Sequence, residues 1–413
     1  MEARANEGLW EYRNQRLRHL VRHAYENAPA IRAKFDSAGI KPENVQTVKD
    51  LDKIPVTTKD ELVRLQKETP PFGGFLATPL ENLEKIFLSP GPLFDGGNVK
   101  ERVSRLVEMF DLVKVGRGDR VMVTYSYHLV PPAHWMDEAI RALGATAIPS
   151  GAGNTDSQVK IMHDLEVTGY VGTPSFLNLI IKRAEEMGYD FRGDFKLRFA
   201  MTSAEMLPPS LRQSFEEKYG IQVVDIIGTA DVGWFTYECE QKSGYHLSRD
   251  IIVEIVDPAT GKQLGPGELG ELVVTPFDDS YTLIRFGTGD LSAYTDEPCP
   301  CGREPFRLLG MKGRVGEAVK IRGMFVHPNQ LKQWLADFPE VKRFQLQVDQ
   351  VQYRDVATLR VEAEAGTDKE RLSAAIISRF PQVCMVKLDK VEFLPPDAIS
   401  PEAKVVVDQR KWE

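Results

Sequence analysis

Between about residue 85 and residue 275, short apolar runs alternate with amphipathic stretches, and this alternation restricts the fold more than any other feature of the sequence. Residues 120–124 (Arg-Val-Met-Val-Thr) read as a buried strand and 135–143 as a helix. The pattern repeats with strands at 144–149, 168–172, 197–201 and 222–227, and a helix at 157–165. Strands separated by helices pair in parallel, because each crossover helix covers the sheet, so an α/β fold with mostly parallel sheets is expected. In such sheets ligands bind at the carboxyl ends of the strands.

The texture changes after residue 245. Residues 251–256 and 268–274 read as strands joined by tight turns, one of them Asp257-Pro-Ala-Thr-Gly261, which implies a β-rich subdomain. Near Gly313 it changes again, to strands at 343–348, 357–363 and 386–394 and a helix at 369–380. A small α+β domain is expected over 314–413, behind a large N-terminal domain over 1–313. The first forty residues read as helices, with Leu17, Leu20, Val21 and Ala24 at helical spacing.

A chain of 413 residues exceeds one ordinary core. Its 42% hydrophobic and 27% charged content is that of a globular protein. The net charge of −8 provides no basic field, which disfavours nucleic acid as a partner. No apolar run approaches the roughly 20 residues that cross a bilayer, and charges interrupt the whole N-terminal segment. A cytoplasmic location away from the membrane is the expectation. Three of only four cysteines fall in Cys239-x6-His246 and Cys299-x-Cys301, and three thiolates with one imidazole make the closed shell of a structural zinc site.

Several stretches, in order, carry a family resemblance. They are Pro55-Val-Thr-Thr-Lys-Asp60, 144–149, Gly153-Asn-Thr155, Gly172-Thr-Pro-Ser175, 265–272, Pro298-Cys-Pro-Cys-Gly-Arg303 and Gly313-Arg314 with Ile321-Arg-Gly323. The chain resembles phenylacetate–coenzyme A ligases of the adenylate-forming superfamily from near residue 15 to its end. The resemblance implies a mobile C-terminal domain and two steps: ATP with Mg2+ activates a carboxylic acid as acyl-AMP, and coenzyme A displaces AMP. A homodimer is compatible with it.

On that resemblance Ser203, Ala204 and Glu205 match the adenine-side loop, and Gly228, Thr229, Ala230 and Asp231 match the loop that holds phosphate and magnesium. Asp290 matches the carboxylate that accepts the ribose hydroxyls, and Arg314 matches an arginine that also reaches the nucleotide. Tyr125, Tyr127 and His128 follow a strand where the acyl pocket is expected, and they read equally well as core aromatics. Gly316 suits a hinge, since it accepts large dihedral changes.

Three positions depart from the family pattern. Ser89-Pro-Gly-Pro-Leu-Phe-Asp95 stands where a phosphate loop rich in threonine, glycine and lysine is expected. Its prolines remove N–H donors, Asp95 adds negative charge, and Gly96 with Gly97 still permits close approach to phosphate. Ile227 replaces an aromatic residue. Glu402 falls where a lysine is expected near the C-terminus, which leaves Lys404 as the catalytic lysine. The alternative reading is a non-catalytic or partner-dependent relative that binds nucleotide or acyl ligand without adenylating it.

Overall fold

The N-terminal residues form helices α1 (Glu2–Asn27) and α2 (Pro29–Ser37), and α1 turns Leu17, Leu20, Val21 and Ala24 into the core. The computed structural model describes residues 2–89, 93–315, 319–322, 324–326, 328–384 and 386–410. Pro90, Gly91 and Pro92 of the altered phosphate loop, and Gly316 and Gly323 in the expected hinge region, lie outside them. The chain divides into two compact units, Met1–Gly313 and Arg314–Glu413.

In the first unit a short strand β1 (Thr57–Thr58) leads into α3 (Lys59–Glu68). A hairpin of β2 (Phe87–Ser89) and β3 (Leu93–Asp95) then precedes α4 (Val99–Phe110). The expected alternation follows: β4 (Arg120–Val123), α5 (Pro132–Ala142), β5 (Thr146–Pro149), α6 (Thr155–Asp164), β6 (Gly169–Gly172), α7 (Pro174–Glu186), β7 (Phe199–Thr202) and β8 (Gln222–Thr229). These strands pair in parallel in the order β8-β7-β6-β4-β5. Strands β4, β6 and β7 are nearly continuous apolar runs because helices cover both faces.

At β8 the sheet changes character without ending. Antiparallel strands continue it: β9 (Gly233–Glu238), β10 (Tyr245–Leu247), β11 (Ile251–Val256), β12 (Gly270–Pro276), β13 (Phe286–Thr295) and β14 (Arg307–Arg314). All belong to one 12-stranded sheet, so the parallel and β-rich parts share a single ladder. The β8–β9 hairpin joins its two halves, and β1 adds to β13 by pairing Thr57 with Phe286.

The second unit holds a hairpin of β15 (Val319–Ile321) and β16 (Met324–Val326). Its main sheet combines β17 (Val341–Val351), β18 (Arg354–Ala363), β19 (Lys390–Leu394) and β20 (Val406–Asp408) in the order β19-β18-β17-β20. The helices Pro328–Leu335 and Lys369–Cys384 pack on it through Trp334, Ile376 and Phe380. Among the described residues no helix is long and apolar enough to cross a membrane.

A buried ion pair ties α1 to the rest of the first unit. Arg13 donates to both oxygens of Glu304 at 2.6 and 2.8 Å, and to the Ser248 carbonyl at 3.1 Å. Removing one partner of such a pair leaves the other charge desolvated and alone, at a cost of about 3–5 kcal/mol. Arg13→Ala is therefore expected to lower unfolding stability by about that much. A urea midpoint equal to that of the wild type would contradict it.

Candidate functional site

The site is assembled from the N-terminus inward. Arg285 is buried and left-handed (φ 52°), and it pairs with Glu254 at 2.9 Å while donating to the Ile54 carbonyl at 2.6 Å. That contact, with the β1–β13 pairing, sets the 54–58 segment in place. Thr58 then caps α3 by accepting from the Glu61 amide at 3.1 Å, which fixes Lys59 as the first helical residue. Lys59 Nζ thereby reaches Asp231 Oδ2 at 2.9 Å in a buried pair, and Ser89 Oγ donates to Asp231 Oδ1 at 3.1 Å.

Asp231 lies in the turn between β8 and β9, and helix α4 grips that turn from the other side. Arg102 donates to the Asp231 carbonyl at 3.2 Å, and Arg105 donates to the carbonyls of Val232 and Trp234 at 2.6 and 3.1 Å. Arg102 also holds Asp95 through two bonds of 2.5 and 2.9 Å and lies 4.6 Å from the centre of the Trp135 ring. The negative charge expected from Asp95 is thus neutralised by a bidentate guanidinium. Gly97 makes room for this pair: a Cβ there would sit 1.8 Å from Arg102 Nη2.

Gly228 and Thr229 close β8 opposite Trp234 and Gly233, and Ala230 begins the turn. The Thr229 hydroxyl is shielded from solvent and has no hydrogen-bond partner among the described residues. A buried unpaired hydroxyl costs about 1–3 kcal/mol. Ile227 is buried in the core of the first unit.

One strand over, β7 ends at Thr202 and the 203–205 loop begins. Ala204 is left-handed (φ 73°), strain of order 1 kcal/mol for an alanine of the kind that gathers at ligand loops. Ser203 Oγ accepts from the Trp234 indole at 3.0 Å, and Glu205 accepts from the Ser175 amide at 2.6 Å, in the first turn of α7. Asp290 is a buried residue of β13, not of a turn, and its amide donates to Thr288 Oγ1 at 3.1 Å.

Of the acyl-pocket candidates, Tyr125 is half-buried, donates to the Gly172 carbonyl at 3.2 Å and lies 5.8 Å from Trp234, ring centre to ring centre. Tyr127 turns toward α5, where its ring meets His134 at 5.3 Å. His128 is exposed. Arg314 ends β14 and opens the second unit. Lys404 is exposed in the loop before β20, where its carbonyl accepts from Gln345, and Glu402 is exposed beside it.

The Cys/His residues converge. Ligand atoms of Cys239, His246, Cys299 and Cys301 all lie within 4.8 Å of one another, with 3.8 Å between the Cys239 and Cys299 sulfurs and 3.3 Å from Cys301 Sγ to His246 Nε2. Thiolates about 2.3 Å from a shared tetrahedral zinc would be about 3.8 Å apart, so the donor set fits that ion. Burial, then the charges of Arg303 and Arg307, hold His246 down at about 4, which keeps its imidazole neutral and able to ligate.

Sequence reasoning missed Lys59 as a site residue, although it quoted the 55–60 segment. It also missed Arg102, Arg105 and Trp234. Their only local signal is the presence of cations on an otherwise apolar face of α4, at Arg102 and Arg105.

Comparison with known proteins agrees with this geometry. Residues 97–276 match the family model described as AMP-binding enzyme. The phenylacetate–coenzyme A ligase of Thermus thermophilus is 30% identical over 375 residues, covering 88% of this chain and 83% of that protein. Its counterpart in Escherichia coli K12 is 30% identical over 381 residues, covering 89% and 85%. The chain belongs to the phenylacetate–coenzyme A ligase family. A crystal structure of 2-hydroxyisobutyryl-CoA ligase, in complex with 2-HIB-AMP and CoA, is 26% identical to it, with a TM-score of 0.90 over 97% of this chain and 90% of that one.

Within this family member a titratable group lies under the 203–205 loop. Asp225 on β8 pairs in register with Thr202, accepts from the Thr202 hydroxyl at 2.6 Å and from Tyr245 at 2.7 Å, and lies near Glu238. Burial, with the Glu238 charge second, raises its carboxyl to about 7. A carboxyl raised on folding adds stability that is complete below its unfolded value of about 4 and is lost as pH climbs through about 7. Asp225→Asn is expected to lose less stability than the wild type between those two pH values. Denaturant midpoints that run parallel across this range for the two proteins would refute the assignment.

Proposed function

We propose that this chain is an ATP-dependent acid–coenzyme A ligase acting on an aryl or other organic carboxylate. In the first half-reaction a carboxylate oxygen attacks the α-phosphorus of ATP and pyrophosphate leaves. In the second the coenzyme A thiol attacks the acyl carbon, AMP leaves and the thiol proton is released. The observation that carries the reading is the buried Lys59–Asp231 pair next to the unpartnered Thr229 hydroxyl, at the carboxyl end of β8. A carboxylate and a triphosphate repel one another, and a fixed cation between them stabilises the charge that develops in transfer. The likeness to enzymes named as CoA ligases supports the same chemistry.

Two lysines are assigned to that charge. Lys59 is built into the first unit, and Lys404 is supplied by the second, whose mobility belongs to this reading. Ser203, Ala204 and Glu205 form the adenine side, Asp290 takes the ribose hydroxyls, Arg314 assists, and Asp231 is the oxygen ligand for Mg2+ when Mg-ATP enters. The test is AMP release from a panel of carboxylic acids with ATP, Mg2+ and coenzyme A. Asp290→Ala is expected to weaken AMP binding by at least tenfold through loss of charge-assisted bonds. Lys404→Ala is expected to slow acyl-AMP formation by orders of magnitude and to spare thioester formation from preformed acyl-AMP. A wild type that binds AMP but adenylates no acid would favour the non-catalytic alternative, which the 89–95 loop and Glu402 support.

The Cys239, His246, Cys299 and Cys301 cluster is assigned to one structural zinc ion that clips β9 and β10 to the segment after β13. All four ligand positions are filled by protein, so no site remains for a reacting water. Protein purified without added metal should contain about one zinc per chain, and chelation should lower its melting temperature. Metal-free protein of unchanged stability would exclude the site.

A further inference from the structure

Four neighbouring strands set a polar side chain in one row across the sheet: Thr202 on β7, Asp225 on β8, Glu238 on β9 and Tyr245 on β10. Thr202 is in register with Asp225 and Glu238 with Tyr245, while the pairing of Ile226 with Tyr237 sets Asp225 beside Glu238. Thr202, Asp225 and Glu238 are buried, and the row satisfies itself. Asp225 accepts from the Thr202 hydroxyl at 2.6 Å and, across β9, from the Tyr245 hydroxyl at 2.7 Å. Its amide donates to Glu238 Oε2 at 3.3 Å.

Both ends of the row adjoin residues with other work. Thr202 directly precedes the 203–205 loop, Glu238 precedes Cys239, and Tyr245 precedes His246. Successive side chains of a strand point to opposite faces, so β10 gives His246 to the Cys/His cluster and Tyr245 to the row. That strand is three residues long, and whatever fixes His246 also fixes the point from which the Tyr245 phenol reaches Asp225. The far end of the loop is tied to the same row. The short helix Pro209–Gln213 follows it, and Arg212 of that helix donates to Glu238 Oε2 at 2.5 Å. Residues 203–208 are thus anchored before and after, by Thr202 on Asp225 and by Arg212 on Glu238. Between the anchors Ala204 is left-handed (φ 73°), and such strain persists only where its surroundings over-determine it.

On the reading above, in which 203–205 forms the adenine side and the cluster holds zinc, we propose that Tyr245, Asp225, Glu238 and Arg212 are positioning residues for the nucleotide loop. Through them metal binding at one end of the row and AMP binding at the other strengthen each other. The coupling is reciprocal by thermodynamic necessity: the factor by which metal improves AMP affinity is the factor by which AMP improves metal affinity. The Tyr245 hydroxyl is the link nearest the metal, and the Thr202 hydroxyl is the link nearest the loop.

The experiment takes the full-length protein with its metal and measures zinc affinity, by competition with a chromogenic chelator, without AMP and with saturating AMP. The wild type is compared with Tyr245→Phe, Thr202→Val and Thr202→Ser; thermal melts check folding, and calorimetry gives each AMP affinity so that saturation is assured. In the wild type AMP is expected to raise zinc affinity at least about fivefold. That factor should fall below about twofold in Tyr245→Phe and Thr202→Val, which each remove one hydroxyl, and return in Thr202→Ser, which keeps it. A role confined to stability would lower melting temperatures and leave the factor intact. A wild type whose zinc affinity ignores AMP, or a factor equal in the wild type and the two folded hydroxyl-deleted variants, overturns the proposal. Should one of those variants fail to fold, the other and the wild-type factor decide. A wild type that binds no AMP removes the nucleotide reading, and one that holds no zinc removes the metal assignment; either takes the proposal with it. Both ligands bound without coupling leaves those readings standing and refutes the proposal alone.

Discussion

Three buried cations converge on one turn, and the site depends on that arrangement. Lys59 holds the Asp231 side chain, Arg102 the Asp231 carbonyl, and Arg105 the carbonyls of Val232 and Trp234. Removing three such groups from water costs several kcal/mol each, so each must find compensation close by. Lys59 and Arg102 find carboxylates, Asp231 for one and Asp95 and Asp278 for the other. Among the described residues Arg105 donates to carbonyls, and burial with the neighbouring Arg102 charge lowers it to about 10, still cationic at neutral pH. The turn they secure joins the parallel half of the sheet to the antiparallel half.

The same charges change how the altered phosphate loop should be understood. Taken along the sequence, Asp95 is an acid in a place that favours a base, and it argues against a bound polyphosphate. In the fold its charge is spent on Arg102, while Lys59 arrives from a different segment to supply a cation. Both charges are thus paired within the fold, Asp95 with Arg102 and Lys59 with Asp231. Lys59 and Asp231 are 172 residues apart, which is why no local pattern announces them.

What the sequence made legible follows from how each part is buried. Strands β4, β6 and β7 lie between helix layers and therefore appear as apolar runs with turn signals at their ends. The Cys/His cluster was legible because thiols are rare in this chain and three of the four fall in Cys239-x6-His246 and Cys299-x-Cys301. Asp290 lies within β13, although Gly287 and Gly289 beside it give that stretch the look of a turn in the sequence. Trp234 gave no signal at all. A tryptophan in a buried strand is ordinary core until its neighbours, Ser203 and Tyr125, are known.

The Arg13–Glu304 pair also sets an order of events during synthesis. The two residues are 291 positions apart, so at about 5–20 residues per second the ribosome takes roughly 15 to 60 s to deliver the second after the first. Through that interval the apolar face of α1 can lie only against its near neighbours Ile31, Phe35, Val45, Leu51 and Ile54, which share its core. The charge of Arg13 stays in water until Glu304 arrives, so the final seating of α1 waits for the antiparallel half of the sheet.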